Sequence, residues 1–168
     1  LYLDVYSRRV DLRVGRQALH WGSARFLNPT DPFPQVLIAE PWRPRRGVNA
    51  VRATVPFGAM NDATVLVASD DAFGEARAAA RLRLNALETD WAFIGAWRSD
   101  NNSGLVGLDF RGTLGVGWWL EAAVHVGGSG AAKRYYEELS AGIDYSFPVL
   151  ERLIVMAQYT RNGAGETD

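Results

Sequence analysis

ARAAARLRLNAL (76–87), DWAFIGAW (90–97), GLVGLDFRGTL (104–114) and GWWLEAAVHV (117–126) follow one another with only a few residues between them. Each alternates apolar and polar side chains, the period of an extended strand whose successive side chains point to opposite faces. YYEELSAGIDYSF (135–147) and LIVMAQYT (153–160) continue the series. Each segment is close to the ~9–11 residues that a tilted strand needs to cross a hydrocarbon layer. The signal is weak in one segment and strong when repeated, and in this form it is the signature of an antiparallel transmembrane β-barrel.

Extended to the whole chain, the pattern predicts ten strands, near 1–7, 10–18, 48–57, 63–68, 76–87, 90–98, 104–114, 118–126, 135–147 and 153–160. The connections alternate. Ser7–Arg9, Gly58–Asn61, Glu88–Thr89, Gly115–Gly117 and Pro148–Arg152 are short turns. Gly22–Arg46, Ser69–Gly74, Ser99–Ser103, Gly127–Arg134 and the stretch after Arg161 are mostly longer and richer in Gly, Asp, Asn and Ser. In outer-membrane barrels short turns face the periplasm and long loops face outside. The chain begins inside the strand-like LYLDVYS and ends in the loop-like RNGAGETD. It is therefore expected to be one β-barrel segment, 1–168, of a larger barrel.

Composition agrees by exclusion. Mean hydropathy is −0.12 and no run of 18 apolar residues occurs, so a transmembrane helix is not expected. A formal net charge of −1 gives no reason to expect a nucleic-acid partner. The chain has no cysteine, which removes disulfide and thiol chemistry. Lys133 is the one lysine beside the arginines, and arginine keeps its charge in any environment.

Aromatics mark the strand ends. Phe57, Trp91, Trp118, Tyr145 and Phe147 lie beside short turns, and Trp97, Tyr135 and Tyr159 beside long loops. Two aromatic belts separated by Leu, Ile, Val and Ala are what a membrane girdle requires. The opposite face then collects charge. It holds Arg52, Arg77, Arg81, Arg83 and Arg98 on the earlier strands. Asp109, Arg111, Glu121, His125, Glu138 and Asp144 follow on the later ones. This reading gives a pore lined by an arginine-rich wall beside a more acidic one, which would orient dipolar or anionic solutes. The competing reading is a soluble β-barrel or sandwich, with charges outside and apolar residues inside.

GRQALHWGSARFLNPTDPFPQ (15–35) breaks the rhythm, because Asn-Pro and Asp-Pro steps belong to neither helix nor central strand. Pro29, Pro32, Pro34, Pro41 and Pro44 stiffen the stretch. Asp31 can close an Asx turn on its own backbone. The Pro-rich loop at 22–46 is expected to fold into the lumen and narrow it, anchored by Arg16, Gln17, Trp21, Gly22, Asn28, Pro29 and Asp31. A loop that only packs over the rim is the alternative.

Gly15, Arg16, Gln17, Trp21, Gly22, Asn28, Pro29, Asp31 and Phe33, with Arg46, Gly47, Ala50 and Arg52 after them, form a spaced pattern. In it the chain resembles a family of uncharacterised porin-like proteins of the bacterial outer membrane. AAARLR, the G-x-D-F strand and G-I-D-Y-S-F also resemble later strands of that family, so the likeness runs roughly from Arg13 to Gly163. The resemblance implies an outer-membrane barrel surrounded by lipid, and no substrate comes with it. The function expected is passive diffusion of small polar or anionic solutes. The alternative is a plugged barrel that works through its extracellular loops.

No enzyme is expected. His20 and His125 are the only histidines, and neither belongs to a metal-spaced cluster. No nucleophile-elbow pattern occurs. VGGSGAA (126–132) lacks the Lys-Ser/Thr of a phosphate-binding loop. The expected cofactor and metal content is therefore none.

Overall fold

The computed structural model describes residues 1–33, 47–69, 76–100, 102–127, 135–148 and 153–164. Residues 34–46, the later part of the Pro-rich loop with Pro34, Pro41 and Pro44, lie outside the described residues, as do 128–134. The described chain is all β and contains ten strands. They are β1 (Tyr2–Tyr6), β2 (Asp11–Gln17), β3 (Val48–Phe57), β4 (Asn61–Ser69) and β5 (Ala76–Ala86), then β6 (Thr89–Arg98), β7 (Ser103–Leu114), β8 (Val116–Gly127), β9 (Tyr135–Phe147) and β10 (Leu153–Asn162). Every strand pairs antiparallel with its sequence neighbours in one sheet ordered β1 to β10. The sheet is not closed: β1 and β10 each keep one unpaired edge among the described residues.

The short connections are tight. Leu87 and Glu88 join β5 to β6 with φ of 55° and 57°, the geometry of a two-residue hairpin turn matched to strand twist. Gly115, with φ of +75°, alone joins β7 to β8.

The pairing is staggered in a regular way. One register row runs Asp62, Arg83, Ala92, Asp109, Glu121, Ser140, Thr160. Asp62, Ala92, Glu121 and Thr160 lie two, four, six and eight residues beyond the short turns that precede them. The stagger is therefore one residue per strand. With a rise of about 3.3 Å per residue and about 4.8 Å between strands, that is a tilt of roughly 35°. Barrel walls have this tilt.

The sheet also curls. Within loop residues Trp21 to Arg25, contacts reach from Arg81 on β5 to Gln158 on β10. The loop side chains Leu19, Trp21 and Phe33 are also buried with residues from Ala50 on β3 to Ala123 on β8, so seven of the ten strands meet one short segment. The face that carries this segment is called the inner face below.

The two faces differ chemically. The inner face holds the buried polar groups Asp62, Thr64, Asp109, Glu121 and Ser140 among small residues such as Ala50, Ala68, Ala79, Ala92 and Ala123. The outer face exposes Val51, Val65, Val67, Phe93, Val106, Leu120, Ile143 and Val155, with the aromatics at the strand ends. Phe57, Trp91, Trp97, Tyr135, Tyr145, Phe147 and Tyr159 are all exposed there. Trp118 shares that face but is half-buried, because its indole lies over Gly112 of β7, where a Cβ would come within 2.8 Å.

Candidate functional site

The inner face and the segment Ala18–Phe33 form one unit. Small strand residues leave room that large loop residues fill: Leu19, Trp21 and Phe33 are buried with Ala50, Leu66, Ala68, Ala79, Ala92, Ile94, Leu105 and Ala123. Trp21 and Phe33 meet edge to face at 6.5 Å. Burying each such side chain contributes about 1.5–3 kcal/mol. Gly107 on β7 has no Cβ, so Thr30 Cγ2 can occupy that space.

Local turn chemistry shapes the loop. Asn28-Pro29-Thr30-Asp31 is a β-turn closed by the Asp31 N–H donating to the Asn28 carbonyl at 3.2 Å, with proline at the position its fixed φ suits. The Asp31 carboxylate accepts the Phe33 N–H at 3.0 Å, an Asx turn. Its other oxygen lies 3.1 Å from His20 Nδ1, and the Asn28 amide sits 3.4 Å from the same ring. Pro29 is buried in this turn.

Glu121 holds the loop to the wall. Its side chain is fully buried in the middle of β8. One carboxylate oxygen accepts the Ala24 N–H, and the other accepts the Thr30 hydroxyl at 2.8 Å and the Thr30 N–H at 3.3 Å. A buried carboxylate is tolerable only when its lone pairs are met by donors, and the loop supplies three. Gly22 makes this approach feasible. Its φ is +94°, and a Cβ there would lie 2.8–2.9 Å from both Glu121 oxygens and from Thr30 Oγ1. Beside it, Asp109 accepts the Ser23 hydroxyl at 3.0 Å. Further on, the Arg25 N–H donates to Gln158 Oε1 at 2.9 Å, and its guanidinium lies 3.5 Å from Asp144 and over the Trp119 ring.

Charges on the inner face form local clusters rather than two walls of opposite sign. Asp62 lies 2.6 Å from Arg83 and 3.6 Å from Arg81, so an acid stands within the wall expected to be arginine-rich. Arg81 also covers the Trp21 ring at 5.2 Å. On the first strands Asp4 takes two hydrogen bonds from Arg13, at 2.6 and 2.8 Å. Arg52 sits beside Arg13 in register and has no hydrogen-bond or ion-pair partner among the described residues. Arg98 pairs with Asp100 at 2.6 Å, and His125 with Glu138 at 3.0 Å. Glu138 also accepts from Asn162 at 2.5 Å.

Strand parity places the expected lining residues Arg52, Arg77, Arg81, Arg83, Arg98, Asp109, Arg111, Glu121, Glu138 and Asp144 on the inner face. Of the expected anchors, Gln17, Trp21, Gly22, Asn28, Pro29 and Asp31 lie in or beside the inner loop. Gln17 donates to the Ala50 carbonyl at 3.0 Å. Arg16 alternates to the opposite face from Gln17, is exposed, and has its side-chain stem against Gly47.

Asp4, Arg13, Ser23, Thr30, Asp62, Ser140 and Gln158 complete the site and were not expected in it. No group of three or more His, Cys, Asp or Glu is placed to hold a metal ion among the described residues. No family model, no curated protein and no solved structure matches this chain.

Proposed function

We propose that this sheet is part of the closed wall of a bacterial outer-membrane β-barrel, with β1 and β10 pairing to further strands. We further propose that the barrel is a porin-like channel through which small polar or anionic solutes diffuse passively. The observation that carries this reading is the sidedness of the sheet. Its outer face is apolar with aromatics at both ends of the strands and has Arg16, Glu137 and Arg161 near the long-loop ends, and its inner face carries the other strand charges and the folded-in loop. A soluble barrel would require the reverse arrangement, because water cannot solvate so broad an apolar surface without cost. The barrel-like stagger of the strands supports the same conclusion.

Within the barrel, the segment Ala18–Phe33 is a constriction held by hydrogen bonds to β7, β8 and β10 and by apolar packing that reaches β3 to β6. Solutes that pass along β2 to β5 meet Arg13, Arg52, Arg77, Arg81 and Arg83, which outnumber Asp4, Asp11 and Asp62 on the same face. This surplus of positive charge favours anions. No catalytic role is assigned. A plugged barrel that acts through its outer loops is the second reading, and the tight docking of the loop on Glu121 favours it.

The lipid-facing surface is tested with single-tryptophan variants in vesicles containing bromine-labelled acyl chains. Trp91 and Trp97 are expected to be strongly quenched, and Trp119, on the inner face and 3% exposed, to be spared. Equal quenching of all three, or none, would sink the assignment of faces. Selectivity is tested by charge reversal. Reversing Arg81 and Arg83 together would strand buried Asp62 among new carboxylates. Arg52→Glu avoids that and is expected to move the reversal potential in a salt gradient toward cations. An unchanged potential would remove Arg52 from the conduction path.

A further inference from the structure

A groove of about 410 Å³ runs obliquely across the outer face of β7 to β10. Two register rows form it. One is Leu108, Ala122, Leu139, Arg161, and the other is Val106, Val124, Glu137. Ala122 is the small residue between Leu108 and Leu139, and this makes the depression. Because the strands are staggered, the first row begins at mid-depth on β7 and ends beside the long-loop end of β10. Its span from β7 to β10 is three strand steps, about 14 Å. At the roughly 35° tilt of the strands this row climbs about 8 Å along the membrane normal, so it stays within one leaflet of a hydrocarbon core of about 30 Å.

The deep end of the groove is apolar. The shallow end carries Arg161 and Glu137, 3.4 Å apart and both well exposed. Tyr135 and Tyr159 stand two residues away from them on the same face, also exposed. One guanidinium, one carboxylate and two phenols at the mouth of a one-leaflet apolar groove form a defined chemical template. The guanidinium suits a phosphate. The carboxylate and the phenols suit hydroxyl and amide donors of a sugar headgroup.

We propose that this groove is a binding site for a phosphorylated, acylated glycolipid of the leaflet on the long-loop side. One acyl chain lies along Leu108, Ala122 and Leu139, and a phosphate sits on Arg161. The assignment rests on the lipid-facing reading of the outer face given above.

The test is native mass spectrometry of the detergent-solubilised protein, titrated separately with diphosphorylated lipid A, its dephosphorylated form and phosphatidylglycerol. The phosphorylated glycolipid is expected to be retained best. Arg161→Ala is expected to weaken retention about tenfold, the loss of one charge-assisted contact. Ala122→Phe, which fills the groove from the exposed side, is expected to abolish it. Equal retention of phosphatidylglycerol would overturn the glycolipid assignment, and retention undiminished in Ala122→Phe would overturn the groove. Failure of binding with bromolipid quenching of Trp91 and Trp97 intact refutes this site alone. Failure of both refutes the lipid-facing reading beneath it.

Discussion

Glu121→Ala is expected to release the segment Ala18–Phe33 from the wall while leaving the sheet paired. The substitution strands three donors, the N–H groups of Ala24 and Thr30 and the Thr30 hydroxyl, that otherwise end on one buried carboxylate. Hydrogen bonds to a charged group contribute about 1.5–3 kcal/mol each, and a buried donor left unmet costs its desolvation as well. Removing the buried charge returns part of that, so a net loss of about 3 kcal/mol in loop docking is expected. Amide exchange at Ala24 and Thr30 should then accelerate by roughly two orders of magnitude, since local opening sets its rate. Strand amides of β7 and β8 should keep their protection. Glu121→Gln keeps the shape and one acceptor oxygen, and should fall between wild type and alanine. Unchanged exchange in the alanine variant would mean that the apolar cluster around Trp21 and Phe33 alone holds the loop.

Gly22→Val is expected to reproduce that release from the other side of the contact. Valine is β-branched and is strained at a φ of +94°, at a cost of about 1–3 kcal/mol. Its Cβ would also lie 2.8–2.9 Å from the two Glu121 oxygens, so the carboxylate must move off its donors. The total should equal or exceed the Glu121→Ala effect. The double variant should be little worse than either single one, because both remove the same contact. Gly115→Ala is the control. Its φ of +75° carries similar strain, but nothing lies within 4 Å of the added Cβ, so loop exchange should not change. Additive losses in the double variant would show that Gly22 acts independently of Glu121.

The strands were legible because their signal is local and repeated. A period of two over ten segments, closed by aromatics and turn residues, locates each strand within a few residues of its observed bounds. Face assignment followed wherever a strand was read in register, as from Arg77 to Arg83 and from Asp109 to Glu121. It fails at Asp62 because the expected strand starts two residues after the observed β4, and at Asp4 and Arg13 because the pattern assigns no faces to the first two strands. Arg16 and Gln17 are contiguous in the motif, but neighbours on a strand face opposite ways, so the two do not hold the loop from one face. Inside the loop only local chemistry could be read, such as the Asx turn of Asp31. That Glu121, about a hundred residues away, is the anchor depends on how far the sheet curls. No spacing in the sequence encodes that.

The central claim is an open, polar interior narrowed by the loop that Glu121 holds. Single-channel recording in a planar bilayer tests it most directly, with the wild-type protein and Glu121→Ala side by side. The account requires discrete steps of stable size from the wild type, and larger or noisier steps once the loop is released. Silence from both proteins, with bromolipid quenching proving that they are inserted, would contradict it and leave the outer loops as the functional surface.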